Sequence, residues 1–284
     1  MAHSYLLYHG LSSALGNEQP FYGLRELEQD GDLSIEERAR CYVADMRRIQ
    51  QHGPYRIAGW CAAGPLAVEI ARQLTLAKEE VAMLLLFDSW LPGYAEGLAK
   101  LERSKSYSKI LRNKIGRHKA KIEDLSFAGR MNYMWYVTRR LLKRARDEFY
   151  IKHWTQMNAL SARLHIPLPQ FMHNTTLQTF AAMREFRTES IPVHLTLVRA
   201  IDSLHLEGGA LTCGWEIVAE QGVDVLWAPG DHETMFRGNN LRVTANLVSE
   251  SLAAVESAAS GERMGTTRLR RNDVLQRSGR PASI

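Results

Sequence analysis

Ala58-Gly59-Trp60-Cys61-Ala62-Ala63-Gly64 stands between an apolar strand pattern and a helical one. Glycines two before and three after a cysteine suit a sharp strand-to-helix turn that holds the thiol in the open. The pattern is that of a nucleophile elbow, G-x-S-x-G, with Cys in place of Ser and the second glycine one position late. A lone match of this kind is common by chance, so the flanking residues carry the argument.

Upstream, Pro54-Tyr55-Arg56-Ile57-Ala58-Gly59-Trp60 reads as a short buried strand. Downstream, Leu66, Ile70 and Leu74 mark one helical face, with Pro65 in the first turn, where a missing N–H costs nothing. Val81-Ala82-Met83-Leu84-Leu85-Leu86-Phe87 is a continuous apolar run ending in Asp88, the pattern of a strand covered on both faces of a parallel sheet. Strand, helix and strand make a βαβ unit with Cys61 at the carboxyl end of its first strand.

Further out, Ser34 and Glu37 form a capping box for a helix running to about Gln50, with Ala39, Val43, Met46 and Ile49 on one face. Tyr8 to Leu15 reads as a short helix stopped by Gly16, and Gln19-Pro20-Phe21-Tyr22-Gly23-Leu24 as a strand. Residues 94–188 turn helical, polar and basic, with no strong strand. Strand signals return at Val193–Ala200 and Val223–Ala228, and Leu241 to Ala254 closes as a helix. The expected fold is α/β: a mostly parallel central sheet flanked by helices, with an inserted helical stretch. The domain spans 1–260, the insertion about 94–188, and residues 261–284 form a disordered basic tail.

Composition bounds the rest. With 284 residues, 45% hydrophobic and 24% charged, the chain has the make-up of an ordinary globular protein that can bury a full core. It holds no apolar run of membrane-spanning length and no signal-like amino terminus, so a cytoplasmic protein with no membrane contact is expected. Cys41, Cys61 and Cys213 cannot all pair, and no metal-ligand spacing occurs. The net charge of +5 is uneven: sixteen Lys or Arg against five Asp or Glu lie between Lys100 and Lys152. A solvated helical face accounts for this, and so does a docking surface for an acidic protein or a phosphate-bearing group. No nucleic-acid-binding motif accompanies the charge.

Three residues align in chain order as nucleophile, acid and base. Cys61 occupies the turn, Asp88 ends the next strand, and His232 lies in Pro229-Gly230-Asp231-His232-Glu233-Thr234-Met235-Phe236, directly after the last strand. A thiol near pKa 8.5 needs a base or an imidazolium beside it at neutral pH, which His232 supplies. Asp88 fixes the imidazole tautomer, and the Ala62 N–H faces the oxyanion. Asp231 is expected to face away. Read singly, each has a plainer role: Cys61 as a small packed residue, Asp88 as a cap, His232 as a structural histidine. Cys41 and Cys213 read as structural thiols.

From about Tyr8 to Ala254 the chain resembles the thioesterase domains that end nonribosomal peptide and polyketide assembly lines. The resemblance rests on Gln19–Leu24, Gly53–Trp60, Ala67-Val68-Glu69-Ile70-Ala71-Arg72-Gln73-Leu74, Leu86-Phe87-Asp88-Ser89, Leu197–Ala200, Gly214-Trp215 and Pro229–His232. It implies an α/β-hydrolase fold whose insertion is a lid. It also implies a substrate delivered on the 4'-phosphopantetheine of an acyl or peptidyl carrier protein, with no cofactor of the chain's own. Members of that family usually carry Ser at the elbow. A Cys keeps the acyl group activated as a thioester, which favours cyclisation over hydrolysis. Trp60, Met131, Trp135 and Met235 are the expected substrate contacts, Met131 and Trp135 serving equally well as helix packing. The family's first strand and its oxyanion loop are expected upstream of Met1; the alternative register makes His9-Gly10-Leu11 that loop. The rival functions are a dienelactone-hydrolase-like esterase and a non-catalytic carrier-binding module.

Overall fold

The computed structural model describes residues 2–25, 33–94, 126–164, 166, 175–203 and 211–260. The expected basic tail, and the part of the basic stretch before Ser126, lie outside them. Four parallel strands form one sheet in the order β1 (Tyr55–Trp60), β2 (Val81–Phe87), β3 (Leu195–Ala200) and β4 (Val223–Ala228). Among the described residues the α-helices in chain order are α1 (Ala2–Leu15), α2 (Ile35–Ile49), α3 (Ala63–Leu76), α4 (Phe127–Leu164), α5 (Thr175–Glu185) and α6 (Gly238–Ser260). Two compact units result, one built from residues up to Pro92 together with those from Phe186 onward, the other from Gly93 to Glu185.

The unbroken apolar run of β2 serves two cores at once, because successive side chains of a strand point to opposite faces. Leu84 and Leu86, with Leu195 and Leu197 of β3, pack against Ala39, Tyr42 and Val43 of α2 and Val68, Ala71 and Leu74 of α3. Met83, Leu85 and Phe87, with Val198 and Ala200, pack against Leu11 of α1 and Leu247, Val248 and Leu252 of α6. Each fully buried aliphatic side chain contributes roughly 1.5–3 kcal/mol, so this double-sided strand anchors both layers.

Local signals place the helices. The Glu37 N–H donates to Ser34 Oγ at 3.2 Å and the Ser34 N–H to Glu37 Oε2 at 2.9 Å, so the capping box starts α2 as expected. Helix α3 lies close to β1 because Gly59 has no side chain. A Cβ there would come within 2.6 Å of the Ala63 carbonyl oxygen and 2.9 Å of Ala67 Cβ.

Two expectations are corrected. Gln19–Leu24 is not a strand: Pro20–Arg25 is irregular and pairs with no strand among the described residues. A strand needs a neighbour to take its backbone hydrogen bonds, whatever its side-chain pattern. Second, α1 begins well before Tyr8, and His9-Gly10-Leu11 lies in its interior. Helical backbone amides are taken by carbonyls one turn earlier, so this segment cannot serve as an oxyanion loop.

Among the described residues β1 is an edge strand. The N–H groups of Tyr55 and Cys61 donate to Glu80 and Phe87 carbonyls at 2.8 and 3.0 Å. By the two-residue alternation, the backbone groups of Arg56, Ala58 and Trp60 point to the outer edge.

In the other unit, α4 and α5 share a small core. Tyr150 and Trp154 stack with centroids 5.1 Å apart and pack with Ala181, Ile151 and Met157. Much of the rest of α4 is exposed, Met131 and Trp135 by 60% and 66%. Arg139, Arg140, Lys143, Arg144 and Arg146 are exposed along it as well. No described helix is long and apolar enough to cross a membrane.

Candidate active site

Cys61 follows the last residue of β1 and adopts φ 56°, a left-handed conformation that a non-glycine residue rarely takes. That costs roughly 1–2 kcal/mol, and the surroundings hold it in place. The Cys61 N–H is bound to the Phe87 carbonyl, while its carbonyl accepts from the Gly64 N–H at 3.1 Å and from Ser89 Oγ at 2.8 Å. The turn leads directly into α3, whose first N–H groups, with that of Ala62, have no partner inside the helix.

Asp88 sits one residue past β2, 2% exposed, with φ 42°. Its N–H donates to the Val198 carbonyl at 2.8 Å, and its Oδ1 accepts the Ala200 N–H at 3.4 Å. The other oxygen, Oδ2, lies 2.7 Å from His232 Nδ1. The Cys61 thiol lies close enough to His232 to act on its charge. Sequence positions 61, 88 and 232 therefore meet at the carboxyl ends of three parallel strands.

The electrostatics of the imidazole follow from these partners. His232 is pushed up to about 10, first by its bond to Asp88 and next by the Cys61 thiol, against the opposing effect of burial. The imidazole therefore carries its proton at neutral pH. Its ring also stacks on the Trp60 indole, centroids 4.8 Å apart at 26°, and Phe236 meets Trp60 edge-on at 5.9 Å. An aromatic face of this kind favours the cationic form.

Asp231 is bound within its own loop. Its Oδ1 accepts the backbone N–H groups of Glu233 and Thr234 and the Thr234 hydroxyl, and the Thr234 bonds hold it below the usual carboxylate range. It shapes the loop that presents His232.

The expected substrate contacts fall in different places. Trp60 is half-buried, with its ring engaged by His232 and Phe236. Met235 is a correction: its side chain is 0% exposed and belongs to the core beneath the sheet, because the short turn Thr234–Phe236 points it inward. Met131 and Trp135 are carried by α4 in the helical unit.

Three residues near the turn were not singled out by sequence as site residues. Ser89 and Trp215 are both completely buried and bonded to one another, Trp215 Nε1 donating to the Ser89 carbonyl at 3.0 Å. Tyr8 is half-buried beside the Trp60 backbone amide and near Cys61; burial pushes its phenol up to about 12, keeping it neutral. The motifs that carry the family resemblance include Ser89 and Trp215 but give neither a role at the site. Among the described residues, no group of three or more His, Cys, Asp or Glu could hold a metal ion.

Comparison with known proteins agrees with this fold. A family model described as a thioesterase domain matches residues 4–248. The chain belongs to the thioesterase-domain family. Its parallel sheet flanked by helices is the α/β-hydrolase fold. This thioesterase domain is 38% identical over 87 residues to inactive atromentin synthetase invA4 of Paxillus involutus, covering 29% of this chain and 9% of the relative. It is 44% identical over 75 residues to orsellinic acid synthase of Emericella nidulans, 26% of this chain and 3% of the relative. The chain thus spans under a tenth of the length of these curated relatives. Among solved structures, a four-domain nonribosomal peptide synthetase, holo-AB3403 bound to AMP and glycine, shares the fold. Its TM-score is 0.54 and its identity 22%, over 86% of this chain and 18% of that one.

Proposed function

We propose that this thioesterase domain releases an acyl chain from the 4'-phosphopantetheine of a carrier protein through an acyl-Cys61 intermediate. The observation that carries the reading is the meeting of Cys61, His232 and Asp88 around a left-handed nucleophile turn. In the first step the proton of the thiol–imidazole pair resides on His232, and Cys61 Sγ attacks the thioester carbonyl carbon. The carbonyl π electrons move to oxygen, where the Ala62 N–H donates to the resulting oxyanion. As the carbonyl re-forms, the carbon–sulfur bond to pantetheine breaks and the His232 proton passes to the departing sulfur. In the second step neutral His232 removes a proton from the acceptor, which attacks the acyl carbon and expels the Cys61 thiolate. Water as acceptor yields a free acid; an amine or hydroxyl within the chain yields a lactam or lactone.

Cyclisation is the preferred outcome of this proposal. A thioester to Cys61 stays close in energy to the incoming carrier thioester, so the acyl group remains activated for an internal nucleophile. The chemistry needs no metal or cofactor beyond the pantetheine that arrives with the substrate. The helical unit is read as a lid, and its apolar side chains, Met131 and Trp135 among them, as contacts for the acyl chain. Its exposed cations are read as the docking face for an acidic carrier.

Intact-mass measurement after mixing with an acyl-carrier thioester should show one acyl group added, located at Cys61 by peptide mapping. Cys61→Ala should show none. An unmodified wild-type chain under conditions where the carrier binds would instead favour a non-catalytic carrier-binding module. Product analysis separates cyclisation from hydrolysis, and exclusive free acid across acyl chains bearing internal nucleophiles would reject the former.

The docking face has its own test. Reversing Lys143 and Arg144 to Glu should raise KM for carrier-bound substrate by about tenfold at low salt, an effect that weakens as salt screens it. Turnover of a small free thioester should stay unchanged. Equal losses on both substrates would reject docking on α4.

A further inference from the structure

We propose that Ser89, braced by Trp215, is a positioning residue that holds the Cys61 turn in register with His232. Three contacts carry the inference. Ser89 Oγ donates to the Cys61 carbonyl at 2.8 Å, Trp215 Nε1 donates to the Ser89 carbonyl at 3.0 Å, and both side chains are completely buried. The Trp215 bond is buried and the Ser89 bond part-buried, so the hydroxyl acts as a strut between the two strand ends.

The displaced glycine of the motif has its explanation here. A Cβ at Gly64 would lie 1.9 Å from Ser89 Oγ and 2.6 Å from Ser89 Cβ. The position three residues after the nucleophile must therefore be empty for Ser89 to reach the Cys61 carbonyl. The late glycine and the serine after Asp88 are two halves of one packing arrangement.

The arrangement also couples the nucleophile to its base. Phe87, Asp88 and Ser89 are consecutive: Phe87 accepts the Cys61 N–H, Ser89 donates to the Cys61 carbonyl, and Asp88 binds His232 Nδ1 at 2.7 Å. Three consecutive residues at the end of β2 thus locate both members of the thiol–imidazole pair. Cys61 pays for its left-handed backbone through this grip, since a residue with φ above zero persists only where its neighbours hold it.

The inference rests on Cys61 as the nucleophile, and its test does not depend on the identity of the substrate. Ser89→Ala and Trp215→Phe are compared with wild type by the pH dependence of Cys61 alkylation with iodoacetamide, read at the Cys61 peptide by mass spectrometry. Cys213 is buried, with its thiol pushed up to about 11, and exposed Cys41 reports general thiol reactivity. Without the strut the thiol–imidazole distance lengthens. Ser89→Ala should then alkylate at Cys61 about tenfold more slowly at pH 7, with the profile moved to higher pH and Cys41 unchanged. Trp215→Phe should move it in the same direction by less. In thioester turnover, kcat should fall with KM held within about twofold.

A purely structural role would lower the melting temperature and leave the Cys61 profile in place; that result in folded Ser89→Ala overturns the proposal. Should Ser89→Ala not fold, an unmoved profile in Trp215→Phe overturns it equally. A moved profile in a chain that turns over no thioester upholds the strut and rejects the proposed function instead.

Discussion

Cys61→Ser should release thioester substrate about a hundredfold more slowly than wild type at pH 7 and recover progressively toward pH 10. The expectation follows from where the proton resides. His232 is held up to about 10, chiefly by Asp88 and secondly by the Cys61 thiol. A thiol nucleophile suits a protonated imidazole, because the thiolate–imidazolium pair is itself the reactive form. A serine hydroxyl ionises far less readily and needs a neutral imidazole to take its proton during attack. Substituting oxygen for sulfur removes one cause of the upward shift but leaves the larger one, the bond to Asp88. The variant's base therefore stays mostly protonated at neutral pH. A single-turnover acylation rate of Cys61→Ser that rises with pH, set against a wild-type acylation rate that declines as His232 loses its proton, would support this account. A variant as active as wild type at pH 7 would reject it.

Asp88→Asn should lower kcat by about 10⁴ while leaving substrate binding largely intact. The carboxylate accepts the Nδ1 proton at 2.7 Å and is only 2% exposed, so no water can substitute for it as acceptor. An amide nitrogen turned toward the imidazole selects the wrong tautomer. The same substitution should change how stability depends on pH. The folded-state pKa of His232 lies above its unfolded value of about 6.5, so binding a proton stabilises the folded chain. That contribution is fully present below about pH 6.5 and is lost as pH rises through about 10. Wild type should therefore show a melting temperature falling across this window. Asp88→Asn should start lower and show a flatter slope, since its main cause is gone. Parallel slopes in the two proteins would mean that another group dominates the alkaline limb.

The two sets of expectations differ in what they needed. The βαβ unit around Cys61 was readable because its signals are local: a continuous apolar run over Val81–Phe87, a helical stripe at Leu66, Ile70 and Leu74, and a capping box at Ser34 and Glu37. Each depends on residues within one element, where periodicity and capping act directly. Gln19–Leu24 failed as a strand for the opposite reason. Its pattern suits an extended backbone, but a strand exists only when another supplies its hydrogen bonds, and none of the described strands does.

Chain order and strand ends were enough to single out Cys61, Asp88 and His232, because in a parallel sheet the carboxyl ends gather on one side. The amino-acid sequence also supplied the chemistry of the candidate nucleophile, a thiol. Which way each side chain points was settled only by packing. Met235, three residues past His232, turned into the core while His232 turned out, since the intervening short turn reverses direction. Trp60 was identified as a site residue, yet its stacking on the imidazole required two segments 172 positions apart to meet. The late glycine at position 64 looked like an irregular motif when read along the chain. In three dimensions it is the space that Ser89 occupies to reach Cys61. Elements and residue types are local properties of the polypeptide. The grip of one strand end on another arises only once the sheet has formed, and so it is the tertiary structure that decides it.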